Sequence, residues 1–260
     1  MTGRFSKLEP RADAAQLQPS TALPGEPTRD ATTYFDLATA AMHAGLHESA
    51  LQQFTRSLRE DRSRIPAWVG QLQMLLELHE HAEAQLWAAK ALEVFRANGD
   101  LLACASQAAL RIGDRSGALA QSDLSLKATG SSPLRWIARG EVLLTTRPAL
   151  AGECFAKAMT EEHACWFDLV RIARVHLAHS RHSPAADFAQ RAVEAAPDKP
   201  FAWETLAVCH QGLGLNARAA ECFRHAAQLA PGRADYARRR AEAERTGTSL
   251  FARIKRTFSR

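Results

Sequence analysis

Apolar residues recur along this chain as pairs of short helical stripes, and the clearest pair lies between Pro200 and Pro231. Trp203, Leu206, Ala207 and His210 share one face at helical spacing; after a turn at Gly212–Gly214, a second stripe carries Ala219, Phe223 and Ala226. Pro231 stops the second helix, because proline lacks the amide hydrogen that a helix interior uses. Five looser copies precede it. The first sets Tyr34, Leu37, Ala38 and Ala41 against Ala50, Phe54 and Ser57, with Gly45 at its turn. The second sets Trp68, Leu72 and Leu75 against Ala84, Ala88 and Ala91, with His79, Glu80 and His81 where a turn glycine is expected. The third has Leu102, Ala105, Ser106 and Ala109, then Gly113, Ala118, Ser122 and Ser125. Its inward serines are expected to bond backbone carbonyls four residues earlier. The fourth opens on Pro133, with Trp136, Gly140 and Leu143 before Ala151, Phe155 and Ala158; it keeps register only if the turn near Arg147 and Pro148 is one residue shorter. The fifth runs Trp166, Leu169, Ile172, Ala173 and His176, then Ala185, Ala189 and Ala192 before Pro197.

Corresponding starts at residues 31, 65, 99, about 132, 166 and 200 differ by 33 or 34. A period held over six copies predicts an all-α stack of helix pairs, each burying its apolar stripe on its neighbours. The repeats are expected at about 31–64, 65–98, 99–131, 132–165, 166–199 and 200–232, with a polar capping helix over 233–246 broken at Thr246 and Gly247. Residues 1–29, with four prolines and no helical periodicity, are expected to form a disordered leader, and residues 247–260 a basic amphipathic tail.

The order of large and small residues in the clearest copy (Trp, Leu, a small residue, an aromatic-like position, Ala, Phe, Ala and Pro over 34 positions), of which the others are looser versions, resembles the tetratricopeptide repeat (TPR) signature, and the resemblance covers about residue 30 to residue 246. The resemblance implies a right-handed α-solenoid in which the first helix of each repeat lines a concave groove. It further implies non-catalytic work as a protein-binding scaffold or adaptor, with a protein or peptide as partner and no cofactor or metal. The groove-facing offsets of the family fall on Thr39, Gln73, Gln107, Glu141 and Arg174, with Asp36, Arg171 and Glu204 beside them. Some members grip a peptide's terminal carboxylate with Lys and Asn four residues apart; Phe35 and Thr39 stand there in this chain, so that clamp is absent. Arg171 and Arg174 are offered either to an acidic partner or to an internal salt bridge.

Composition changes this picture only at the C-terminus. The net charge is +5, but residues 233–260 hold nine Lys/Arg and three Asp/Glu, so the preceding body is nearly neutral. In the tail, Leu250, Phe251, Ile254 and Phe258 fall along one helical side, with Arg253, Lys255, Arg256 and Arg260 around the remainder. Such a segment suits an anionic membrane surface, a protein partner, or the chain's own groove. Nucleic acid is disfavoured, because the body lacks an extended basic stripe. There is no apolar run of about 18 residues and no secretory leader. The expected location is therefore cytoplasmic, with a peripheral place at the inner membrane face as the alternative.

Candidate chemistry is sparse. Five cysteines without framework spacing (Cys104, Cys154, Cys165, Cys209 and Cys222) are expected to be small buried residues. His176, His179 and His182 sit three apart, but His176 occupies the packing position of His210, and the other two are expected in an exposed turn. No phosphate-binding loop, nucleophile elbow or paired-histidine zinc helix is present in the sequence. No catalytic residue is expected.

Overall fold

The computed structural model describes residues 30–258, with residues 247–258 described by backbone alone; the leader expected over 1–29 lies outside the described residues. The described residues contain thirteen α-helices and no strand, which makes the fold an all-α helical-repeat solenoid. The chain divides between Gly130 and Ser131 into two compact units. The first holds three helix pairs: α1 (Ala31–His43) with α2 (His47–Glu60), α3 (Ile65–Glu77) with α4 (His81–Val94), and α5 (Gly99–Arg111) with α6 (Arg115–Lys127). The second holds α7 (Pro133–Leu143) with α8 (Pro148–Ala158), α9 (Trp166–Ala178) with α10 (His182–Ala195), α11 (Pro200–Gly212) with α12 (Asn216–Leu229), and then α13 (Ala234–Phe258). In both units the odd-numbered leading helices adjoin one another directly.

Local chemistry sets the helix ends. Asp30 accepts the Thr33 amide at 2.7 Å and starts α1, and Asp114 accepts the Gly117 amide at 2.9 Å and starts α6. Prolines occupy the first turns of α3, α7, α8 and α11, where no amide hydrogen is missed. Five leading helices close in the same way. Gly45, His79, Gly113, Ser180 and Gly214 take positive φ, and the amide after each reaches back to a carbonyl five residues earlier, at 2.8–2.9 Å. The fourth pair differs: Arg147 donates to the Leu143 carbonyl at 2.8 Å and Pro148 begins the next helix one residue earlier than in the other pairs, but the shortening falls on α7, which has 11 residues where the other leading helices have 13, and not on the connection.

Close packing between paired helices rests on small residues. Ala50, Ala84, Ala118, Ala151, Ala185 and Ala219, one per trailing helix, are at most 1% exposed. Glycine goes further at two places: within a pair, a Cβ on Gly140 of α7 would lie 2.4 Å from Phe155 of α8, and between neighbouring pairs, one on Gly70 of α3 would lie 2.3 Å from the buried Phe54 ring of α2. The serines behave differently from expectation. In the third repeat Ser106 and Ser122 do bond their own helix, but to the carbonyls three residues earlier, Ala103 at 2.8 Å and Leu119 at 2.9 Å, whereas Ser125, like Ser57 of the first repeat, donates at 2.7 Å to the first residue of its partner helix, Gly99 and Ala31 respectively. A hydroxyl thus replaces an alanine methyl and ties the two helices of the pair together.

Three further expectations change. Trp203 does not fill the core: it is half-buried, stacks on His225 at 4.5 Å and donates to the Pro197 carbonyl at 2.8 Å, clipping the preceding loop. Cys165 is exposed, whereas the other four cysteines are buried. The break at Thr246 and Gly247 is absent, since α13 runs from Ala234 to Phe258 without interruption. An interior glycine costs a helix only about 1 kcal/mol, and the Thr246 hydroxyl bonds the Glu242 carbonyl inside the helix.

Two substitutions test this packing. Gly70→Ala should lower Tm, with overpacking of about 1–3 kcal/mol outweighing alanine's better helix propensity, whereas Gly152→Ala in the open face of α8 should not lower it. Equal melts for the two variants would contradict the Gly70–Phe54 contact. Ser180→Gly should raise Tm: the left-handed conformation costs a non-glycine residue about 1–2 kcal/mol, and the greater freedom of unfolded glycine returns only part of that.

Candidate functional site

The leading helices carry every groove residue expected from the sequence, and the structure treats these residues unequally. In the first unit Asp36 is exposed on α1, and Thr39 is half-buried with its hydroxyl on the Phe35 carbonyl at 3.0 Å. Gln73 and Gln107 are only 8% exposed, so they offer little surface.

The second unit is the more charged. Glu141 on α7 is fully buried and lies 3.3 Å from Nε2 of His179, the residue that caps α9. Close by, Arg181 donates to the Leu144 carbonyl at 3.1 Å, a second tie from the end of α9 to α7. On α9, Arg171 donates to Asp168 at 2.8 Å and lies over the Phe167 ring at 4.8 Å. Arg174, one turn on, reaches across to α11 and lies 5.5 Å from the Phe201 ring centre. Glu204 on α11 accepts the Tyr236 hydroxyl at 3.0 Å and a further bond from Arg239, with Arg233 at 3.7 Å. Successive leading helices are therefore linked in the order α7, α9, α11, α13, each through a polar or cationic side chain. Arg171 forms an internal salt bridge with Asp168, a carboxylate that was not among the flanking Glu141 and Glu204 expected for it.

Sequence reasoning missed Asp168, His179, Arg181, Tyr236 and Arg239. Asp168 carried a signal: it sits three residues into a helix after Cys165, and its Oδ2 accepts the Cys165 amide at 3.0 Å in a capping box. Tyr236 has no exposed surface, and burial together with the Glu204 carboxylate raises its pKa well above the usual tyrosine range.

The tempting groups are packing groups. His176 is buried, edge-on to Phe155 at 5.2 Å and stacked on Phe188 at 5.7 Å. His182 opens α10 rather than lying free in a turn, and its ring fills the space over Gly212. Burial pushes the Cys209 thiol up to about 12 and the Cys222 thiol up to about 11, so both stay protonated. Among the described residues, no group of three or more His, Cys, Asp or Glu is placed to hold a metal. No helix there is long and apolar enough to cross a membrane.

Burial, reinforced by the nearby charges of Arg181 and His179, depresses His176 to about 4. The folded state then binds fewer protons than the unfolded one, so the contribution of neutral His176 is complete above the usual histidine pKa and is lost as pH falls towards 4. His176→Phe should accordingly show a smaller fall in Tm between about pH 7 and about pH 5 than the parent chain. An unchanged pH slope would place the ring in water.

No protein-family model matches the chain, and no curated protein matches its sequence. Among solved structures, it is similar to one chain of the APC/C hetero-tetramer Cut9–Hcn1, at 14% identity and a TM-score of 0.47, over 82% of this chain and 43% of that one. This chain thus spans less than half the length of that neighbour. It is also similar to a tetratricopeptide repeat protein from Parabacteroides merdae, at 14% identity and a TM-score of 0.48, over 82% of this chain and 84% of that one. A thermophilic TPR protein from Thermus thermophilus matches at 16% identity and a TM-score of 0.48, over 82% of this chain and 98% of that one.

Proposed function

We propose that this chain, built of tetratricopeptide-type helix pairs, is a non-catalytic protein–protein interaction scaffold that holds an extended segment or helix of a partner along its leading helices. The observation that carries this reading is the Arg171–Arg174 pair on α9. Both guanidinium groups are half-buried and held over aromatic faces, at 4.8 Å and 5.5 Å. A stacked guanidinium keeps its planar fork of donors in a fixed orientation, which suits a carboxylate. Arg171 is itself paired with Asp168, and Glu204 with the α13 residues, so the recognition proposed belongs to the cationic α9 face as a whole and not to an unpaired arginine. An acidic side chain on the partner is the complement. In the first unit the accessible polar positions narrow to Asp36 and Thr39, because Gln73 and Gln107 are buried.

Affinity capture from lysate should retain a set of proteins on the parent chain that an Arg171→Ala/Arg174→Ala variant of equal Tm loses by about tenfold or more, the range expected for charge-assisted contacts. Partners retained equally by both would remove these residues from the interface.

A further inference from the structure

The terminal helix is longer than the structure it packs on. Helix α13 has 25 residues and α12 has 14, which at about 1.5 Å per residue are lengths of about 37 and 21 Å. The chain turns back between Ala230 and Arg233, so the two helices start their contact at the end of α12. Tyr236 and Ala243 are the fully buried residues of α13, and Ala243 packs with Ala219 and Ala220, close to the first residue of α12, Asn216. Beyond residue 246, α13 has passed the start of its support. About 16 Å of helix continues from there.

That continuation keeps the phase of the buried seam. At 100° per residue, positions 250, 251, 254 and 258 fall within the same arc of about 100° that holds positions 236 and 243. Those four positions are Leu, Phe, Ile and Phe. The side of the helix that is buried upstream therefore keeps an apolar sequence downstream, past the level of Asn216 where α12 begins. Positions 253 and 255, Arg and Lys, border this arc on its two sides, Arg256 lies opposite, and no acidic residue occurs from Thr246 to Arg260. On the described part of the helix, Arg238 and Arg245 are exposed as well.

We infer that residues 247–258 of α13 form a docking helix for an anionic lipid surface. An apolar arc bordered on both sides by cations matches a surface that is apolar in depth and negative at its rim: the arc enters the acyl boundary, and the flanking long side chains reach back to the phosphates. A helix of about three turns buries too little apolar area to hold without that charge, so binding depends on both components. This surface is independent of Arg171 and Arg174. The repeats upstream are fixed to it through Tyr236, Arg239 and Glu204.

The test is flotation of the purified full chain with vesicles of phosphatidylcholine alone and of phosphatidylcholine with about 30% phosphatidylserine, a strongly anionic surface. The parent chain should float with the anionic vesicles only. Each basic residue near such a surface contributes about fivefold in partitioning, so Arg253→Glu/Lys255→Glu/Arg256→Glu should lower it by about a hundredfold or more. Leu250→Ala/Phe251→Ala/Ile254→Ala/Phe258→Ala should abolish flotation as well. Both variants should retain the parent Tm, because neither alters the seam to α12. Equal flotation of parent and charge-reversed chains, or equal binding to neutral vesicles, overturns the inference. Absence of flotation by the parent chain also overturns it, and assigns the arc to a protein partner instead.

Discussion

The close approach of the two helices in each pair is the constraint on which the rest of this structure depends. Six alanines, one per trailing helix, have almost no exposed surface, and at Gly140 of α7 even a methyl group does not fit against Phe155 of α8; Gly70 of α3 makes the same close approach to Phe54 across the boundary to the preceding pair. With the helices this near, few side chains at the crossing can carry a pair's stability alone. Large residues such as Phe54 and Phe155 fill the space beside the crossing and bind pair to pair. The energy of the fold is then spread over nearest-neighbour contacts, and any single repeat is weak without the next. Turn closure follows from the same demand: five leading helices end on a left-handed residue, which returns the chain at the angle that lets the trailing helix lie close.

Much of this was legible because it is periodic. The spacing of alanines and the glycines at Gly45, Gly113 and Gly214 are visible as residue types at fixed intervals, and the structure uses them as their chemistry suggests, while the one-residue deletion expected in the turn near Arg147 and Pro148 is taken up by a shorter α7. What was not legible depends on a partner distant in sequence. Glu204 reads as a groove residue by its offset, yet Tyr236 and Arg239, 32 and 35 positions away, engage its carboxylate. Glu141 reads the same way and is fully buried beside His179, 38 positions on. Trp203 was misread because its ring size suggests a core filler, while its indole N–H requires an acceptor and finds one in the loop at Pro197. The Gly247 break failed for an energetic reason: one glycine between Thr246, Thr248 and Ser249 is a local cost, and the Ala-, Glu- and Arg-rich run up to Arg245 together with the Leu, Ala, Arg and Lys residues from Leu250 onward outweighs it.

The polar residues of the leading helices carry two demands at once. A buried carboxylate such as Glu141 is costly to desolvate and brings little net stability even when paired. Its partner comes from the neighbouring repeat, however, so the pair favours one alignment of α7 against α9 over slipped alternatives of similar hydrophobic burial. The same holds for Arg181 on the Leu144 carbonyl and for the Glu204 cluster. Apolar stripes of alanine and leucine are permissive about register; directional bonds are not. Position along the stack is thus specified by polar atoms, while stability comes from apolar ones.

Helix α13 shows what happens when the repeat rule stops halfway. It begins 34 residues after α11, where a seventh leading helix would begin, and it satisfies the exposed end of α12 with a single tyrosine and a single alanine. A trailing helix would next return to cover its other side; instead α13 continues straight on. A capping helix that had only to end the stack could become polar after Ala243, the last residue of α13 described as buried. The sequence does the opposite and places Leu250, Phe251, Ile254 and Phe258 in phase with the buried seam. Continued apolar character past the level where α12 begins is costly in water, and that cost is the physical ground for the docking role inferred for the extension, whose upstream turns are tied to α11 by the bonds at Glu204.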